Sequence, residues 1–71
     1  SSVRRPLLFY RMLQILPDQR YVTANEVARQ LDISVSKAKM LLRIAATAGL
    51  ADRKFSRRQC RFLYRRVIDV S

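Results

Sequence analysis

Lys37, Lys39 and Arg43 recur two and four residues apart, and Arg53, Lys54, Arg57, Arg58, Arg61, Arg65 and Arg66 crowd the last stretch of the chain. Cations in this density suit one kind of chemistry. They displace condensed counterions from a polyanion, and an arginine or lysine can also pair with the major-groove edge of guanine. The other reactive residue types do not converge. Asp18, Glu26, Asp32, Asp52 and Asp69 are scattered, histidine is absent, Cys60 is the single cysteine, and no glycine-rich phosphate loop is present. We read no catalytic residue, no metal ligand set and no cofactor, and therefore no enzyme. Cys60, in an expected strand, reads as a small core residue rather than a reactive thiol.

The whole chain sharpens this reading. Fifteen Lys and Arg stand against 5 Asp and Glu, a formal charge of +10 on 71 residues, yet 49% of the residues are hydrophobic. A basic tail lacks the apolar content to offset chain entropy, whereas this chain has enough for one small core and one domain over residues 1–71. A lone cysteine excludes an internal disulfide and fits a cytoplasmic, nucleoid-associated location. The longest apolar stretch, residues 6–16, is broken by Arg11 and Gln14 and is too short for a bilayer of about 30 Å, and no small-residue cleavage site follows it. DNA, RNA and an acidic membrane surface remain as polyanions. The membrane fits worst, because no segment pairs a broad apolar face with a continuous basic one.

The elements that must position the cations follow from periodicity. A first helix is expected over about residues 6–16, with Pro6 in its first turn and Pro17 ending it; Leu8, Phe9, Met12, Leu13, Ile15 and Leu16 share its apolar face, and Leu7 lies off that face as a candidate partner contact. A polar connector ends in the extended pair Tyr21 and Val22. Thr23-Ala24-Asn25-Glu26 then reads as a capping box in which the Thr23 hydroxyl accepts from Glu26 N–H and the Glu26 carboxylate reaches back to Thr23 N–H. It opens a short helix over about 24–31, buried through Ala24, Val27, Ala28 and Leu31. Ile33 plugs the turn and Ser34 caps a third helix over about 35–48, which Gly49 closes. Val35, Ala38, Leu41, Leu42 and Ala45 form its buried arc. Two extended runs, about 51–55 and 60–68, are joined through Ser56-Arg57-Arg58-Gln59. Which face of the second run is buried stays open, because its alternation is imperfect.

Helix, short capped helix, three-residue turn, longer helix and basic hairpin make a mainly α domain with a small β-hairpin: a winged helix-turn-helix of three helices and a two-stranded wing. Arg20-Tyr21-Val22-Thr23-Ala24-Asn25-Glu26, Asp32-Ile33, Ser36-Lys37-Ala38, Pro6-Leu7 and Cys60 in a basic final segment together resemble the CaiF/GrlA family of enterobacterial transcriptional activators. Small regulators of the PapI/FaeA type are a comparable resemblance. Either resemblance implies a bacterial transcription regulator, as a complete chain or as the DNA-binding domain of a longer one.

The third helix then supplies Ser36, Lys37, Lys39, Met40, Arg43 and Thr47 to the major groove, Lys37 at a phosphate and Met40 against a thymine methyl. Its exposed arc carries no acid, unlike an ordinary solvated face. The wing supplies Arg57 and Arg58 at its tip to phosphate or minor groove, with Arg53, Lys54 and Arg61 along the backbone, while Arg65 and Arg66 solubilise the terminal strand. Double-stranded DNA is the expected partner, bound as a homodimer or with a partner regulator. Two other classes remain: an RNA-binding winged helix, disfavoured because the Tyr and Phe residues fall mostly at core positions, and a domain recruited to an acidic protein through Leu7, Met40 and Ile44.

Overall fold

The computed structural model describes residues 4–69. Its elements run α1 (Arg4–Ile15), β1 (Val22–Thr23), α2 (Ala24–Leu31), α3 (Val35–Thr47), β2 (Ala51–Ser56) and β3 (Arg61–Arg66). α1 begins ahead of Pro6, which the first turn tolerates because its backbone N–H groups have no helical acceptor. At the other end Leu16 N–H still donates to Met12 O at 3.0 Å, just before Pro17.

The local signals around the turn are realised. Thr23 Oγ1 accepts from Glu26 N–H at 3.2 Å, and Ser34 Oγ accepts from Lys37 N–H at 3.1 Å. One half of the expected capping box is different: the Glu26 carboxylate pairs with Arg20 Nη1 at 3.4 Å instead of reaching back to Thr23. α2 and α3 close in the same way. Ile33 N–H donates to Ala28 O at 3.0 Å and Leu50 N–H to Ala45 O at 2.9 Å, each helix ending on a left-handed residue, Asp32 at φ 57° and Gly49 at φ 82°. That closure pulls Ile33 and Leu50 onto the core.

Fully buried Met12, Leu16, Val27 and Leu42 centre the core, and burial of each such side chain is worth roughly 1.5–3 kcal/mol. Ala28 and Ala38, both buried, keep α2 and α3 close where they pack on each other. Leu8, Phe9, Ile15 and Val35 contribute partly buried surface at the edge of this core.

The expected two-stranded wing is present as β2 and β3, and β1 adds a third strand to its sheet. β3 is central in an antiparallel sheet of order β1-β3-β2, because Val22 and Thr23 pair with Tyr64 and Leu63. β2 pairs with β3 from Ala51↔Arg66 to Ser56↔Arg61. Both hairpin boundaries move accordingly. Cys60 adopts φ 53° in the turn over residues 57–60, so it leaves the ladder and is exposed rather than in the core; its Sγ donates to Arg57 O at 3.6 Å. β3 ends at Arg66, short of residue 68, with Val67 N–H still donating to Leu50 O at 3.1 Å in the register of the β2–β3 ladder. Tyr64 is 5% exposed and settles the buried face of β3. This is a winged-helix architecture with a three-stranded wing sheet.

Asp32 occupies a backbone conformation that glycine adopts without strain. Asp32→Gly is expected to stabilise the domain by on the order of 0.5 kcal/mol, and Asp32→Val to destabilise it by about 1 kcal/mol or more, read as shifts in the urea midpoint at constant slope.

Candidate nucleic-acid interface

α3 buries Ala38, Leu41, Leu42 and Ala45, so 3.6-residue periodicity turns Ser36, Lys37, Lys39, Met40, Arg43 and Thr47 outward, and all six are exposed. The wing is sorted by the period of two. Arg53 and Phe55 on β2 lie directly opposite Tyr64 and Phe62 on β3, and Tyr64 points into the core. This face therefore looks toward α3, while Asp52, Lys54, Leu63 and Arg65 occupy the other.

Between α3 and the wing lies an open cleft of about 470 Å³. Lys39 and Arg43, one helical turn apart, supply cations from α3; Arg53 and Arg61 supply them from the wing. Ala24, Tyr64, Phe55, Phe62 and Cys60 complete the lining, which contains no acidic residue. Lys39, Arg43, Arg53 and Arg61 have no ion-pair partner among the described residues. The cleft is thus a concave surface of uncompensated positive charge in which field lines concentrate.

The remaining expected contacts spread around it. Arg57 and Arg58 are exposed in the turn at the tip of the wing. Ser36, Lys37 and Met40 stand on α3 outside the cleft, and Thr47 lines a second shallow depression with Ala46, Ala51, Asp52 and Arg53. Lys54 is separated from the group, its Nζ 4.5 Å from the centroid of the Tyr21 ring on the far face of the wing.

Arg65 and Arg66 do more than solubilise the strand. Arg65 donates to Asp18 O and to Asp52 Oδ2, each at 3.4 Å. Arg66 donates to Leu13 O at 3.4 Å, near the carboxyl end of α1 where cations are favoured, and approaches Asp18 at 3.8 Å. The Nε atoms of both arginines are buried without an acceptor, a desolvation cost that a solubilising arginine would not incur. These two cations fasten the sheet to α1 and its connector.

Two residues of the cleft were not legible as site residues in the sequence. Phe55 and Phe62 are 53% and 42% exposed, against the expectation that the phenylalanines pack in the core. Their signal was the alternation Arg53-x-Phe55 and Phe62-x-Tyr64: one face throughout, but with its outer half beyond the edge of the helices.

On the opposite face of the wing, Tyr21 Oη donates to Asp52 Oδ2 at 2.6 Å. That hydrogen bond, then the one from Arg65, holds the Asp52 carboxyl below its ordinary value against some desolvation, and the same bond to Asp52 is the main cause that raises the Tyr21 phenol.

No known protein-family model matches the chain, and no curated protein or solved structure is significantly similar to it. Among the described residues no helix is long and apolar enough to cross a membrane.

The shifts at Asp52 and Tyr21 set the expected pH dependence. Asp52, lowered on folding, contributes stability that is present above its unfolded value of 3.8 and is lost as pH falls through the lower folded value. Tyr21, raised on folding, contributes stability that is present below 10.0 and is lost as pH rises through the higher folded value. Tyr21→Phe should flatten both limbs of a plot of melting temperature against pH, whereas Asp52→Asn should flatten the acid limb most.

Proposed function

We propose that the protein binds double-stranded DNA, with α3 in the major groove and the wing on the adjacent backbone or minor groove. The observation that carries this reading is the acid-free cleft in which Lys39 and Arg43 face Arg53 and Arg61. Two elements distant in the chain bring like charges together there, an arrangement that costs repulsion until a polyanion enters. Arg57 and Arg58 extend the positive surface to the wing tip, and Lys37 extends it toward the start of α3. Met40 and Ile44, 48% and 50% exposed on α3, supply apolar contacts suited to thymine methyl groups. Regulation of bacterial transcription, as a homodimer on paired half-sites or with a partner regulator, is the role that the resemblance to CaiF/GrlA and PapI/FaeA-type regulators adds to this proposal.

RNA is the second reading, favoured by the exposure of Phe55 and Phe62 on the basic wing, since unpaired bases stack on aromatic rings. Competition of a labelled duplex DNA by unlabelled duplex DNA and by folded RNA separates the two.

If about six cations meet phosphates, the log of the association constant should fall against log salt with a slope of about −5; a slope near zero in a gel-shift titration contradicts DNA binding through this surface. Arg43→Ala is expected to cost about 1–3 kcal/mol on a selected sequence and less on random DNA, whereas Arg57→Ala weakens both alike.

A further inference from the structure

Phe55 and Phe62 meet edge to face across the β2–β3 pair, with ring centroids 5.2 Å apart and planes at 72°. The Arg53 guanidinium lies over the Phe62 ring, 4.5 Å from its centroid. The wing therefore presents an Arg53–Phe62 stack with the Phe55 ring set against it edge to face, on the face of the sheet that looks toward α3. Both rings are about half exposed, whereas the same face buries Tyr64 and Ala51 farther in. Apolar rings left in water gain by burial, and arginine stacked on an aromatic ring is a surface on which a nucleobase can also stack. On the opposite wall Lys39 suits the charge of the chain beside such a base.

A base inside a regular duplex already has both faces covered by its neighbours, so it cannot offer one to a ring in a cleft. An unpaired or extruded base can. We propose that the cleft between α3 and the wing holds an unpaired nucleobase, stacked on the Phe62–Arg53 pair and flanked by Phe55, with a neighbouring phosphate on Lys39. This assignment rests on the DNA-binding reading and adds to it a preference for duplexes with a displaced base. Stacking on an aromatic side chain sets the expected preference at about five- to 150-fold.

The test compares two labelled duplexes by fluorescence anisotropy, one fully paired and one identical except for a single extrahelical thymine. The wild-type protein is expected to bind the second about tenfold more tightly. Phe62→Leu and Phe55→Leu should bring the ratio of the two affinities close to one, and Phe62→Tyr, which keeps an aromatic ring, should retain it; circular dichroism checks that each variant is folded. Equal wild-type affinity for the two duplexes overturns the stacking site and leaves DNA binding intact, whereas no binding to either overturns both. A ratio that survives in folded Phe62→Leu places recognition of the extra base elsewhere and also overturns the assignment.

Discussion

Burial of Tyr64 against the helices is the constraint on which the geometry of the basic surface depends. Successive side chains of a strand alternate between faces, so fixing Tyr64 inward fixes Phe62 and Arg66 on the same side and Leu63 and Arg65 on the other. Antiparallel pairing passes the choice to β2, where Arg53 and Phe55 take the helix side and Lys54 takes the far side. A slip of one residue would send Arg53 and Phe55 away from α3 and bring Asp52 and Lys54 toward it, placing a carboxylate in the cleft. β1 reinforces the register, because Val22 lies opposite Tyr64 and is itself 4% exposed.

The few acidic residues act in the same direction. Asp18, Glu26 and Asp52 pair with Arg66, Arg20 and Arg65, all outside the cleft. Each pair keeps at least one partner well exposed and so contributes little stability individually. Their placement matters more: the carboxylates neutralise cations that join elements of the fold and leave Lys39, Arg43, Arg53 and Arg61 uncompensated. A formal charge of +10 is thereby divided between a structural group and a group available to an anion.

Features set by local chemistry were legible in the sequence. Thr23 and Ser34 cap their helices through neighbours three residues away, Gly49 ends α3, and the buried residues of α2 follow from helical period alone. Features set by distant partners were less so. Pairing of Val22 and Thr23 with β3 joins segments about forty residues apart in sequence and leaves no mark beyond two extended-favouring residues. The left-handed backbone of Cys60 shortened the second strand in a turn that lacks glycine. Alternation assigns Phe55 and Phe62 to the face of Tyr64, but how far the helices extend beneath that face is a property of tertiary packing. The fastening role of Arg66 likewise depends on the carboxyl end of α1 lying beside β3.

Whether an anionic nucleic acid enters between α3 and the wing is tested most directly by titrating isotope-labelled protein with a short duplex DNA and following backbone amide resonances. The account predicts that the largest perturbations fall in residues 36–47, 53–55 and 57–62, with Tyr21, Asp52 and the exposed side of α1 little changed. Perturbations centred instead on α1 or on the Tyr21–Asp52 face, with α3 and the wing tip unmoved, would contradict it.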